Sequence, residues 1–136
     1  MQSVVIPPQT HRTYLRSTYD DPKFIVGNMW RRYAGHWDQD PAHLLPGDNV
    51  ALSHALCDAA GGPLALATKA YELLDTDLST ATQLIEYAGQ AAPDDVEVHT
   101  LRADIYRRRK EAEKSLMAQS IFGDAEKDSL KIIGKL

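Results

Sequence analysis

The sequence predicts an all-α protein on three observations. Apolar residues recur at spacings of three and four in almost every segment, and no stretch alternates cleanly over six residues. Asp-Pro, Gly-Gly and Asp-rich breaks cut the chain into pieces of helical length. The breaks are short, so successive helices are expected to fold back as antiparallel hairpins.

Residues 1–13 read as an extended N-terminal arm, and residues 14–136 as one helical domain. Val4, Val5 and Ile6 favour extended backbone, and Pro7-Pro8 ends any regular element. The first helix is expected to open at Asp21-Pro22, where Asp caps free amides and Pro fits the first helical position. Val26, Met29, Trp30, Tyr33 and Trp37 follow at helical spacing, with Gly35 as the stop. Asp38-Gln39-Asp40-Pro41 reads as a turn. Asp48 caps a second helix with Val50, Ala51, Leu52, Ala55, Leu56 and Ala59 as its apolar stripe, closed by Gly61-Gly62. A third runs from about Pro63 to Leu74 on Leu64, Ala67, Ala70, Tyr71 and Leu74. The fourth carries Leu78, Ala81, Leu84, Ile85 and Ala88 and ends before Pro93. A fifth starts near Asp95 on Val98, Leu101, Ile105 and Tyr106. The last holds Leu116, Met117, Ile121, Ala125, Leu130 and Ile133, with Gly123 as a candidate interruption. Ala81, Ala88 and Pro93 stand where a tetratricopeptide repeat places its two small packing residues and closing proline, which makes one helical pair tetratricopeptide-like.

Composition narrows the function classes. A chain of 136 residues, 43% hydrophobic and 25% charged, is ordinary for one globular domain. A net charge of −4 argues against a nucleic-acid partner. The single cysteine, Cys57, excludes an internal disulfide and a Cys-rich zinc site. Neither a membrane-spanning run nor a secretory signal is visible, so no membrane partner is expected and a complete chain would be cytoplasmic.

Chemistry-bearing residues are sparse. His11, His36, His43, His54 and His99 show no metal-ligand spacing. His36 and His43 flank Asp38 and Asp40, but aspartates before Pro41 suit a turn's own backbone bonding. No nucleophile elbow or phosphate loop occurs, and Cys57 falls on an apolar stripe. Arg107-Arg108-Arg109-Lys110 points around the whole helix and reads as a solvated helix end. Catalytic, cofactor-binding and metal residues are therefore all expected to be absent. The informative feature is aromatic. Both tryptophans, Trp30 and Trp37, lie on one helix and turn with Tyr33, a composition enriched at protein interfaces.

These landmarks, in order, resemble the helical dimerisation domain of alkylsulfatases, zinc hydrolases whose catalytic domain has a metallo-β-lactamase fold. The resemblance begins with Tyr14-Leu15-Arg16-Ser17-Thr18-Tyr19 and the aromatic helix ending in Tyr33-Ala34-Gly35. His36-Trp37-Asp38-Gln39-Asp40-Pro41-Ala42-His43-Leu44 is similar to the family's Gly-Trp-aromatic-Asp-Gly-Asn-Pro-Ala turn. Ala59-Ala60-Gly61-Gly62, Leu66-Ala67-Thr68-Lys69-Ala70, the stretch from Ala88 to Asp95 and Leu101-Arg102-Ala103-Asp104 continue the match. His36, Gln39 and Asp40 depart from it, and Gln39 in place of Gly suggests a slightly different loop geometry.

The resemblance implies a homodimer and a contact with a metallo-β-lactamase-fold domain. It also implies zinc, held in that domain by a His-x-His-x-Asp-His cluster that this sequence lacks. The chain is expected to be a non-catalytic dimerisation module of an alkylsulfatase-like hydrolase, without its catalytic domain. Phe24, Met29, Trp30, Tyr33 and Trp37 are the candidate interface residues. The rivals are a tetratricopeptide-like peptide-binding module, which Lys69 alone on the third helix disfavours, and a free-standing enzyme using His36, Asp38, Asp40 and His43.

Overall fold

Aspartate side chains open four of the helices in the computed structural model, which describes Arg12, Tyr14, and residues 18–35 and 37–136. Asp21 accepts from the Lys23 amide and starts α1 (Pro22–Ala34), which ends at Gly35 with φ 85°. Asp48 accepts from the Ala51 amide and starts α2 (Asn49–Ala60). After α3 (Pro63–Glu72), Asp77 accepts from Thr80 to start α4 (Leu78–Ala91). Asp95 accepts from Glu97 and Val98 at the head of α5 (Val96–Ala112). The Ser115 hydroxyl accepts from Ala118 at the head of α6 (Leu116–Ile132), which runs through Gly123 without a break. One turn of 3₁₀-helix, Pro41–His43, lies between α1 and α2. The described residues hold no strand, and the fold is all-α. The proposed arm, residues 1–11 and 13, lies outside the described residues, as do His11 and His36.

The described residues fall into two units. The first takes in those of Met1–Pro46 with Glu113–Gln119, and the second is Gly47–Ala112 with Ser120–Leu136. In the first unit, the Thr18 and Tyr19 carbonyls accept from the Leu116 and Met117 amides at 2.9 and 3.1 Å. These are amides that the opening of a helix leaves without an internal partner. Within the second unit α4 packs on α2, α3 and α5.

The core of that second unit is built from Cys57, Leu66, Ala67, Ala70, Leu74, Ile85, Ala88, Val98, Ile105 and Tyr106. Small residues at Ala67, Ala70, Ala81 and Ala88 let the helices approach closely, as their spacing predicts. Two expectations need correction. The buried side of α2 is Ser53 and Cys57 with Leu56 partly covered, while Val50, Ala51, Leu52, Ala55 and Ala59 stay exposed. The Ser53 hydroxyl, bonded to the Asn49 carbonyl and to Gln90 Oε1, turns that side towards α4. A polar bond, invisible to a count of apolar residues, joins that buried side to α4 beside the core contact of Cys57. The second correction concerns α2 and α3. At Gly61-Gly62 the chain turns through 79°, a corner rather than the expected reversal. Gly61 closes α2 in the left-handed conformation, φ 94° and ψ 18°, which glycine adopts without strain.

Candidate dimerisation surface

None of the residues of α1 is buried. At 3.6 residues per turn, Val26, Met29, Trp30 and Tyr33 stack along one side with Ile25 beside them. Trp30 is 55% exposed and Tyr33 81%. Phe24, also exposed, stands on the other side of the helix, in line with Gly27, Asn28 and Arg31. The structure therefore brings together Met29, Trp30 and Tyr33 of the five candidates and sets Phe24 apart. Trp37 lies in the turn beyond Gly35, its indole N–H donating to the Asp40 carbonyl at 2.9 Å. That bond fixes the ring's polar edge and leaves much of its apolar surface uncovered. Ile25 and Tyr19, both exposed, belong to the same apolar region of the sequence but were not among the five.

The turn after α1 is held by its own aspartates. Asp38 accepts from the Asp40 amide, and Asp40 accepts from the Ala42 amide to start the 3₁₀ turn. His43 Nδ1 meets Asp38 Oδ2 at 2.8 Å, a contact that raises the imidazole pKa and lowers that of the carboxyl. Gln39, between the aspartates, has φ 74°, the left-handed region that glycine prefers. The loop thus keeps a glycine-like backbone despite the different side chain. Among the described residues no three His, Cys, Asp or Glu side chains cluster closely enough to hold a metal ion.

The other candidates make contacts within the chain. Arg107 pairs with Asp104 and Glu111, and Arg108 with Asp75 and Asp104. Arg109 stacks over the Phe122 ring, and Lys110 reaches Glu126. Lys69 is paired with Glu72. Cys57 is buried, and burial raises its thiol pKa. Among the described residues no single helix is long and apolar enough to cross a membrane.

One constellation escaped the sequence reading. Arg102 bonds Glu86 through Nε and a terminal nitrogen, and its other terminal nitrogen donates to the Ala125 carbonyl and Ser129 hydroxyl. Its guanidinium lies 4.7 Å from the centre of the Tyr106 ring, whose hydroxyl donates to Glu86 at 2.6 Å. Burial and the nearby Glu86 charge push the tyrosine pKa up. Buried His99 meets Ser129 through Nδ1, while its Nε2 has no hydrogen-bond partner. The Arg102–Tyr106 spacing of four residues was a visible signal; the Glu86 and Ser129 partners had none. This network joins α4, α5 and α6 to one another.

The sequence matches the family described as alkyl sulfatase dimerisation over residues 1–131. A search of curated proteins finds no match.

Proposed function

The chain belongs to the alkyl sulfatase dimerisation family, and from that premise we propose that it joins two copies of an alkylsulfatase-like hydrolase through the outward face of α1. The observation that supports this is a helix carrying Val26, Met29, Trp30 and Tyr33 with nothing buried. Exposed apolar residues clustered in this way mark an interaction site. A two-fold contact pairs the patch with itself and needs no second kind of surface. On this reading the zinc chemistry belongs to a metallo-β-lactamase-fold domain outside these 136 residues. The module contributes association and contains no catalytic residue.

Light scattering of this chain at tens of micromolar should give twice 15.1 kDa. Trp30 is exposed in the single chain, so Trp30→Asp should give a monomer with unchanged helical circular dichroism. A one-chain mass for the unmutated protein overturns the reading. The isolated module should also hydrolyse no alkyl sulfate and retain no zinc after dialysis. Stoichiometric metal by elemental analysis would place catalytic chemistry in this chain after all.

A further inference from the structure

The basic run near the end of α5 does more than solvate a helix end, because two of its arginines line a cleft. Leu74, in the turn after α3, and Leu78, at the start of α4, give the cleft an apolar side that Ala112 of α5 continues. Arg107, Arg108 and Glu111 form the polar side. The volume is about 420 Å³. Small-molecule sites run from roughly 300 to 1,000 Å³ and set a few convergent polar groups against apolar walls. All of these residues belong to the second unit, so the cleft is complete within it.

The carboxylates around the two arginines are held unequally. Asp104, with a side chain 26% exposed, is paired with Arg107 and accepts from the Tyr71 hydroxyl at 3.1 Å. Asp75 meets Arg108 at 3.3 Å, but its side chain is 89% exposed. Glu111 reaches Arg107 at only 3.5 Å and is 61% exposed. Ion pairs this open contribute little, because water solvates each partner nearly as well. Asp75 and Glu111 can therefore return to solvent at little cost, leaving guanidinium donors at the cleft. A guanidinium is a planar fork matched to a carboxylate. An incoming carboxylate makes the same charge-assisted bonds and can add an apolar stem against Leu74 and Leu78. The stem decides the exchange, since taking apolar surface out of water is favourable in proportion to its area.

We propose that this cleft binds a small organic carboxylate, with its head on Arg107 and Arg108 in place of Glu111 and Asp75 and its hydrocarbon stem on Leu74 and Leu78. The site goes beyond association and does not rest on it. The local charge balance sets what the ligand must carry. Two arginines already face three carboxylates, so an anion without a stem gains nothing over the groups in place. A stem without a charged head forgoes the guanidiniums.

The test titrates hexanoate into the full chain while the methyl resonances of Leu74 and Leu78 are followed by NMR, with acetate and hexanol as partial ligands. Hexanoate should shift both leucines saturably, and either partial ligand at the same concentration should shift them several-fold less. Arg108→Gln should weaken hexanoate roughly tenfold, the worth of one charge-assisted hydrogen bond. Asp75→Asn should act in the opposite sense and tighten it, because the competing carboxylate is gone. A merely structural Arg108–Asp75 pair predicts the same direction for both substitutions. Both side chains are exposed, so the helical circular dichroism of each variant should match the parent. Unmoved leucines, equal binding with and without Arg108, or an Asp75→Asn protein that binds hexanoate no more tightly than the parent overturns the site. Equal shifts from hexanol overturn it too, since they mark an apolar cleft that does not recognise the carboxylate.

Discussion

In α5 the side chains of Val98, Ile105 and Tyr106 go inward, and Arg102 goes in with them because its own chain supplies Glu86, Ser129 and a carbonyl. In α1, Val26, Met29, Trp30 and Tyr33 stay exposed, and none of that helix's residues is buried among the described residues. α1 has 13 residues and α5 has 17, yet α5 hides charge and α1 displays aromatic rings. A helix whose polar groups are satisfied within the chain is finished by folding. A helix whose apolar groups are left over is, on the proposed reading, finished by association. Local sequence looks alike in the two cases, and the difference lies in what the rest of the chain brings to each.

The largest expected effect breaks the finished helix. Arg102→Ala leaves the Glu86 carboxylate and the Ser129 hydroxyl without their shared partner. Removing one member of a buried pair costs about 3–5 kcal/mol, but Glu86 is 37% exposed, so water makes good part of the loss. A loss of about 2–3 kcal/mol is expected, or roughly 5–10 °C in thermal melting followed by circular dichroism. Trp30→Asp should leave the helical signal intact and abolish the two-chain mass instead. An Arg102→Ala protein that melts like the parent would dissolve the contrast between the helices.

A smaller effect sharpens it. A Cβ on Gly89 would stand 3.0 Å from Arg102 Cδ and 3.3 Å from its Nε. Ala is worth about 1 kcal/mol more than Gly inside a helix. Arg102, held at both ends, has little room to move aside, and overpacking costs about 1–3 kcal/mol. Gly89→Ala should therefore destabilise by about 1 kcal/mol in the parent. In an Arg102→Ala background the obstruction is gone and the same substitution should become stabilising. Equal effects in both backgrounds, by denaturant melts, would mean that Arg102 is not what glycine accommodates.

How much of this was legible in the sequence follows from the range of the interactions. Asp21, Asp48, Asp77 and Asp95 act on amides two or three residues away, so the helix starts could be read directly. The burial of Ala67, Ala70, Ala81 and Ala88 followed from periodicity. The buried side of α2 did not, because it includes Ser53, whose partner Gln90 lies thirty-seven residues on. Glu86 with Tyr106, and His99 with Ser129, were hidden for the same reason. The aromatic cluster of α1 was visible by composition, but its exposure was not, since periodicity marks an apolar face without saying what covers it. The separation of Phe24 from Met29, Trp30 and Tyr33 was readable from helical geometry alone. The bonds from the Leu116 and Met117 amides to the Thr18 and Tyr19 carbonyls run backbone to backbone and leave no mark in the sequence.

The turn after α1 offers a third, weaker lever. Gln39 holds φ 74°, a conformation that costs a residue with a Cβ about 1–2 kcal/mol. Glycine would remove the strain but lose more freedom on folding, so a net gain of about 0.5 kcal/mol is expected for Gln39→Gly. Slower hydrogen exchange at the Asp40 and Ala42 amides would report it. Faster exchange would show that the glutamine side chain contributes something beyond the backbone angle.

The smallest effect separates the regions by the sign of a titration. His43, in the exposed turn, meets the Asp38 carboxylate, which favours the charged ring and raises its pKa. His99 is buried, and burial first, then the Arg102 charge, disfavours the charged ring and lowers its pKa. Asp95 and the Ala92 and Pro93 carbonyls oppose that shift without cancelling it. The linkage runs in opposite directions. The His43 contribution is fully present below the unfolded pKa of about 6.5 and fades as pH rises through the higher folded value. For His99 the neutral ring is the folded form, so stability holds above about 6.5 and falls as pH drops towards the lower folded value. Ring-proton titration by NMR should therefore bracket about 6.5, with His43 above it and His99 below. In thermal melts, His99→Gln should flatten the acid side of the pH profile and Asp38→Asn the basic side. Two midpoints on the same side of the unfolded value would mean that the two histidines feel the same surroundings, and that the exposed turn and the interior of α5 do not differ in the way their burial requires.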